Sequence, residues 1–390
     1  MTSPEDSVHV MDGGLGTALE DRYGVVFDDS TPLWSSHLIV SDPDTLLACQ
    51  RDFVDAGADV LLTATYQISI EGFARTKVPA YPEGIPRFAV ERYLANAVKI
   101  AERASVRKAV PGQIPSSASL ALSLGPYGAC MVPGQEYSGK YDDEHNSEEA
   151  LYQWHLERLR LFTNVQGLMD RISYVAFETM PRLDEIRAVR RAYHDSHITN
   201  KKLWISCVFP GEANALPDGT SVDHAVRGML EPLSGGSKPW GIGINCTKMH
   251  KLASLVASYG ESVRAITMCA ASSGLNISAP PCLLLYPDGT TQGEVYNTTT
   301  KKWEKQQPPP QTTASSTSSS VADHEVRVSA IHPQRTLGQG TCQIVRTTRD
   351  KGVFRSFMLG GCCKASAADI SQLRQEFPGY SSSDPSCTRT

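Results

Sequence analysis

Three cysteines stand where thiol chemistry is expected. Gly360-Gly361-Cys362-Cys363 follows an apolar run, and Cys246 closes another, Gly241-Ile242-Gly243-Ile244-Asn245-Cys246. Two adjacent thiols after two glycines call for an unusual turn, and glycine permits backbone geometry that aims both sulfurs at one point. Three thiolates on a tetrahedral ion such as Zn²⁺ leave one position free, the mark of a catalytic rather than a structural site. One cysteine far upstream of a pair is not the spacing of a zinc ribbon or finger. A vicinal disulfide between Cys362 and Cys363, or two buried thiols, satisfies the same spacing, and the residues alone leave that choice open. Cys49, Cys130, Cys207, Cys269, Cys282, Cys342 and Cys387 are assigned to packing or surface, because a free cysteine usually behaves as a small buried hydrophobe.

Two carboxylates also follow apolar runs. Asp12 opens the turn Met11-Asp12-Gly13-Gly14-Leu15-Gly16-Thr17. That turn has neither the lysine of a P-loop nor the third glycine of a dinucleotide fingerprint, which argues against a nucleotide. With backbone packed closely around it, the carboxylate suits an ammonium or another cation, although a turn-stabilising aspartate fits equally well. Glu178 lies in Phe177-Glu178-Thr179-Met180-Pro181, and Pro181 is placed to open the next helix. Either this carboxylate faces a site or it is a helix-start glutamate serving the dipole.

These residues need a scaffold that brings strand ends together. Eight short apolar, β-branched runs recur: Val8 to Met11, Asp59 to Thr65, Leu120 to Leu124, Tyr174 to Phe177, Leu203 to Val208, Gly241 to Asn245, Cys282 to Tyr286 and Phe354 to Leu359. Helical spacing falls between several of them. Leu46, Cys49 and Phe53 share a face, with Asp42 as N-cap, Pro43 in the first turn and Gly57 at the close. Further helices pass through Leu94, Ala97, Val98 and Ala101, and through Trp154, Leu161, Val165 and Leu168. Eight strands alternating with helices predict an α/β chain folded as a single (β/α)₈ TIM-type barrel over residues 1–390, its site at the carboxyl ends of the strands. Gln306 to Val321, rich in Pro, Ser and Thr, reads as a low-complexity flexible insertion between the seventh and eighth strands, and residues 379–390 as a flexible tail.

Composition narrows the partners. A net charge of −5 with 20% charged residues lacks the basic surface that follows a phosphate backbone, so no nucleic acid is expected. No stretch approaches the ~18 to 20 apolar residues needed to cross a bilayer, and Met1 to Asp12 does not resemble a signal peptide. A cytoplasmic protein with reduced thiols is the expectation. No interface helix stands out, which leaves the oligomeric state open.

Together the motifs closely resemble the homocysteine S-methyltransferase family, in particular its stand-alone members that use S-methylmethionine or S-adenosylmethionine. The resemblance runs through MDGGLGTALE (Met11 to Glu20), PLWSS (Pro32 to Ser36), AGADVLLTATYQIS (Ala56 to Ser69), SLGPYGA (Ser123 to Ala129) and EYSGKY (Glu136 to Tyr141). It continues through FETMP (Phe177 to Pro181), GINCT (Gly243 to Thr247), YPDGTTQGEVY (Tyr286 to Tyr296) and GGCC (Gly360 to Cys363). It implies a zinc barrel in which Cys246, Cys362 and Cys363 ligate the metal, and it disfavours the vicinal disulfide. It further implies that Asp12 and Glu178 act in catalysis by binding the amino-acid substrate, homocysteine. Thr179 and Asn245 would be their neighbours, and Trp34 and Tyr66 would line the side of the sulfonium donor. A tryptophan or tyrosine near a strand end is also common in plain core packing.

Departures from the family pattern occur after Cys363, where Lys364-Ala365-Ser366-Ala367 replaces Arg and Thr-Thr-Pro, at Asp288 in place of asparagine, and over Trp303 to Arg355. They bear on substrate preference rather than on the metal. The implied activity is zinc-dependent transfer of a methyl group from a sulfonium to the homocysteine thiol, giving methionine. Betaine as donor, selenocysteine as acceptor, and a non-catalytic zinc or redox-sensing barrel are the alternatives.

Overall fold

The computed structural model describes residues 8–108, 116–272, 279–290, 294–297, 302–305 and 336–378. All eight apolar runs become parallel strands of one sheet. They are β1 (Val8–Val10), β2 (Val60–Leu62), β3 (Ser119–Leu124), β4 (Tyr174–Met180), β5 (Lys202–Cys207), β6 (Gly241–Lys248), β7 (Cys282–Asp288) and, last in the chain, β10 (Ser356–Leu359). The order β1-β10-β7-β6-β5-β4-β3-β2 leaves β1 and β2 at opposite edges. A parallel bridge from Met11 to Val60 joins those edges and closes the barrel. Asp59 clasps the same seam, accepting from the Val10 amide at 3.0 Å and pairing with Arg107 at 3.1 Å and with Arg374.

Alternation along each strand sorts side chains between two cores. Met11, Tyr174, Ala176, Trp204, Cys282, Leu284, Tyr286 and Met358 pack inside the barrel. Val175, Phe177, Ile242, Ile244, Leu283 and Leu285 point outward into the larger core beneath the helices. The inward positions of β6 are glycine because side chains of the neighbouring strands, Leu284 of β7 above all, already fill the space. A Cβ on Gly243 would stand 2.7 Å from both Cβ and the carbonyl oxygen of Leu284. The same alternation carries Glu178 and Asn245 to the inner face at the carboxyl ends of β4 and β6.

The helices are α1 (Leu15–Tyr23), α2 (Leu38–Ser41), α3 (Pro43–Asp55), α4 (Ile70–Arg75), α5 (Arg87–Ser105), α6 (Glu148–Thr163), α7 (Leu183–Asp195), α8 (Val222–Leu230), α9 (Met249–Ser272), α10 (Leu337–Arg349) and α11 (Ala367–Glu376). Asp42 caps α3 as expected, accepting from the Thr45 amide with Pro43 at the first position. Two boundaries differ from the sequence expectation. Helix α6 ends at Thr163, so Val165 and Leu168 lie in the following turn, where Gly167 adopts φ 70° and Leu168 still packs into the core. Helix α7 starts at Leu183 with Arg182 as its N-cap, and Pro181 precedes the cap rather than opening the helix.

Between β7 and β10 the chain adds an antiparallel pair, β8 (Glu294–Asn297) and β9 (Lys302–Lys305), which the sequence reading did not anticipate. The low-complexity segment 306–321, the tail 379–390 and Cys387 lie outside the described residues. No described helix is long and apolar enough to cross a membrane.

Replacing Gly243 with alanine is expected to destabilise the fold by ~1 to 3 kcal/mol through overpacking against Leu284. Urea unfolding checks this; an unchanged midpoint would show that the barrel interior yields to the methyl group.

Candidate functional site

Bulges at two strand ends set the site. The pairing of β4 with β5 slips between Phe177 and Met180, and that of β6 with β7 slips between Asn245 and Lys248. At these slips Thr179 takes φ 62° and Cys246 φ 46°, left-handed values that non-glycine residues adopt at a cost and that concentrate at functional positions. Asn245 locks both bulges together. Its Oδ1 accepts from the Thr179 amide at 2.9 Å, and its Nδ2 donates to Thr179 Oγ1 at 2.8 Å and to Cys246 Sγ at 3.3 Å. Thr179 and Asn245 are thus braces for Cys246.

Opposite them, the turn after β10 brings in Cys362 and Cys363. It is stitched to its neighbours by backbone bonds from Gly361 N to Asp12 O (3.1 Å), Cys362 N to Pro287 O (2.7 Å) and Gly289 N to Cys363 O (2.8 Å). The glycines here serve close approach rather than unusual dihedrals, which corrects the sequence expectation: Gly360 and Gly361 have ordinary φ, and the left-handed residue is Lys364 at φ 60°. A Cβ on Gly360 would stand 2.7 Å from Asp12 O, and one on Gly14 would run into Cys362 O. Lys364, standing where the family pattern has arginine, donates its amide to Thr17 Oγ1 at 2.8 Å and its Nζ to Asp21 at 2.7 Å. Asp288, a second departure, pairs with Lys248 at 3.0 Å.

The Sγ atoms of Cys246, Cys362 and Cys363 lie within 4.8 Å of one another. Cys246 and Cys362 are joined as a disulfide across 5.3 Å between Cα atoms, so the vicinal Cys362–Cys363 bond weighed from the sequence is not formed. Burial pushes the Cys363 thiol up to about 12, with Asp288 adding to the shift. Of the cysteines assigned to packing or surface, Cys49, Cys207, Cys282 and Cys342 are buried, Cys130 is half-buried and Cys269 is exposed.

The thiols open onto a cavity of about 180 Å³, space for roughly a dozen water-sized spheres and so for a small molecule. Asp12, Trp34, Tyr66, Glu178, Thr179 and Asn245 all line it. Asp12 Oδ2 accepts from the Leu62 amide at 2.9 Å, whereas Oδ1 has no partner among the described residues. Burial, against the Leu62 bond and aided by the Glu178 charge, raises the Asp12 carboxyl to about 8. Glu178 lies inside β4, not at a helix start, and its Oε1 accepts from Ser123 Oγ at 2.5 Å. Burial raises its carboxyl to about 7, with the Ser123 and Tyr286 hydroxyls opposing.

Trp34, at φ 45°, packs against Phe27 with ring centroids 5.3 Å apart and occupies the space that a side chain at Gly16 would need. Tyr66 is fixed through its backbone. Buried Arg158 of α6 donates to the carbonyls of Gly125 (2.7 Å) and Tyr66 (2.5 Å), and a Cβ on Gly125 would meet the Tyr66 ring at 2.8 Å.

Among the lining residues that sequence reasoning missed are Glu136, Tyr137 and Trp303. Tyr137 places its hydroxyl 3.8 Å from Cys363 Sγ. Glu136 is buried, and desolvation raises its carboxyl to about 7 with no cation among the described residues to offset it. The signal was the EYSGKY segment, which lies in the loop after β3 rather than at a strand end.

A parallel barrel carrying thiols and buried carboxylates at the carboxyl ends of its strands defines a TIM-type enzyme scaffold. Residues 9–377 match the family described as homocysteine S-methyltransferase, and the chain belongs to that family, whose members are methyltransferases. It is 28% identical over 270 residues to homocysteine S-methyltransferase 1 of Arabidopsis thaliana, covering 68% of this chain and 76% of the relative. It is 30% identical over 239 residues to betaine-homocysteine S-methyltransferase of Drosophila melanogaster, covering 59% and 67%. In structure it resembles the metallated form of the homocysteine methyltransferase MmuM from Escherichia coli, with TM-score 0.60 and 22% identity over 95% of this chain and 96% of that one, a likeness of fold.

The raised carboxyls have a measurable sign. Without metal or substrate, the folded chain keeps protons on Asp12 and Glu178 that the unfolded chain releases near their ordinary values of 3.8 and 4.5. Stability is therefore expected to fall as pH rises from about 4 towards 8, by at most ~1.4 kcal/mol per pH unit for each proton. Urea midpoints between pH 5 and 8 test it, and Asp12→Asn should flatten the slope; equal slopes in both proteins would refute the assignment.

Proposed function

We propose that this protein transfers a methyl group from a sulfonium amino acid, S-methylmethionine or S-adenosylmethionine, to the thiol of homocysteine, giving methionine, with Zn²⁺ held by Cys246, Cys362 and Cys363. The observation that carries the reading is the convergence of the Cys246 sulfur with those of Cys362 and Cys363, more than a hundred residues further along the chain, beside a cavity walled by carboxylates. Once the Cys246–Cys362 bond is reduced to two thiols, the donor set fits the ion: three cysteine sulfurs, with no carboxylate or imidazole in the cluster among the described residues, suit a borderline-soft metal rather than Mg²⁺ or Ca²⁺. Bound there, zinc supplies the positive charge that favours the thiolate, the nucleophilic form, over the thiol.

The chain's own residues then orient the reactants. Asp12 Oδ1, buried without a partner, is placed to accept the ammonium of homocysteine. Glu178, held by Ser123, adds negative charge beside it. Asn245 and Thr179 fix the Cys246 sulfur, and the Trp34 and Tyr66 rings wall the cavity. Reactants held in line lose much of the entropic barrier to displacement. The homocysteine sulfur forms its bond to the methyl carbon as the sulfonium C–S bond breaks, and an uncharged thioether departs.

Charge favours the sulfonium amino acids over betaine as donor. Asp12, Glu136 and Glu178 make the cavity wall acidic, and S-methylmethionine carries a net positive charge, whereas betaine is neutral overall.

Methionine formation from homocysteine should proceed with S-methylmethionine and S-adenosylmethionine, exceed that with betaine, and stop on zinc chelation. Cys246→Ser and Cys363→Ser should each lower kcat/KM by more than the ~10- to 100-fold typical of losing an outer-shell partner. Selenocysteine offered in place of homocysteine tests the acceptor. Stoichiometric zinc with no turnover on any donor would instead support a non-catalytic thiol barrel.

A further inference from the structure

Two carboxylate oxygens lining the cavity lack any hydrogen-bond partner among the described residues, Asp12 Oδ1 and Glu136 Oε2. Both residues are more than nine-tenths buried, with 3% and 8% exposure. Buried acceptors in native proteins are nearly always paired, so an orphaned carboxylate oxygen in a cavity marks a place where a ligand supplies the donor. Glu178 does not compete for this role, since its Oε1 is already taken by Ser123.

The proposed reaction brings two amino acids into one cavity, and with them two ammonium groups. Resting on that reading, which gives Asp12 to homocysteine, we propose that Glu136 Oε2 accepts the hydrogen bond of the methyl donor's α-ammonium group. A sulfonium has no N–H and cannot satisfy an orphaned acceptor; an ammonium can, through a charge-assisted bond. The ammonium also keeps its charge while the sulfonium loses its own. Glu136 therefore holds the donor equally in the ground and transition states and does not oppose methyl departure.

Position agrees. Asp12 leaves β1, whereas Glu136 stands on the separate loop after β3, beside Tyr137 and its contact to Cys363. The loop is folded tightly enough to fix the carboxylate: Gln135 N donates to Gly128 O at 2.8 Å, as does Gly139 N to Gln135 O. Gly134 leaves the space over Oε2 clear, since a Cβ there would stand 2.6 Å from it.

Calorimetric binding to the full-length zinc-loaded protein tests the assignment without needing turnover, using S-methylmethionine and its desamino analogue, (3-carboxypropyl)dimethylsulfonium. The wild type should bind the amino form roughly 10- to 100-fold more tightly, and in Glu136→Gln that preference should collapse. Homocysteine affinity, zinc content and the circular dichroism spectrum should stay as in the wild type. A preference that persists in Glu136→Gln, an absence of preference in the wild type, or a loss of homocysteine affinity instead would overturn the proposal. Binding that behaves as expected in a protein that forms no methionine would leave Glu136 assigned and sink the proposed activity.

Discussion

Backbone packed on backbone at the seam between β10 and β1 determines where the chemistry stands. The turn carrying Cys362 and Cys363 lies on the turn carrying Asp12 so closely that side chains at Gly13, Gly14 or Gly360 have no room. The Gly361 amide is satisfied by Asp12 O and the Cys362 amide by Pro287 O, so β1, β10 and β7 end as one hydrogen-bonded unit. Sulfurs and carboxylate are thereby held at fixed separation without depending on their own side-chain contacts. The barrel closes on the other side of β1, where Met11, the residue before Asp12, bridges Val60 of β2, which couples completion of the fold to assembly of the site.

That rigidity supports an electrostatically expensive arrangement. Asp12, Glu136 and Glu178 are buried around one cavity, and burial heads the causes that raise each of them. An interior that buries carboxylates without counter-charges sacrifices stability for recognition of whatever cation arrives. A metal ion and two ammonium groups would meet that demand. The acidic wall and the thiol cluster then act together, each favouring positive charge in the same small volume.

Much of the fold was legible because its signals are local. The β-branched runs, the Asp42-Pro43 helix start and the glycine pairs each report on their own few residues, and the alternation of β4 and β6 already places Glu178 and Asn245 on one face. What escaped depends on partners distant in the chain. The end of α6 turns on Gly167, not on the apolar spacing that continues to Leu168. The β8–β9 pair has no alternation strong enough to announce it. Glu136 and Tyr137 reach the site from a loop whose course is set by contacts to Gly128 and Arg182, so a search along strand ends passes them by. The resemblance to known methyltransferases brought the EYSGKY segment into view without saying what its glutamate does.

The strained residues complete the argument. Of the six described non-glycine residues with positive φ, Trp34, Thr179, Cys246 and Lys364 are in the cavity wall or in the turn that supplies two of its thiols. Each holds a side chain where an unstrained strand would not direct it: Cys246 is turned towards Cys362, and Thr179 towards Asn245. Such conformations persist only when the surroundings over-determine them. Asn245 supplies that support, satisfying the Thr179 amide and hydroxyl and touching the Cys246 sulfur from a single buried amide. An aspartate there would lose the donor that both the sulfur and the threonine hydroxyl use, and an alanine would leave a buried N–H without a partner. The side chain best placed to keep Cys246 aligned with the pair after β10 is therefore one that need touch neither substrate.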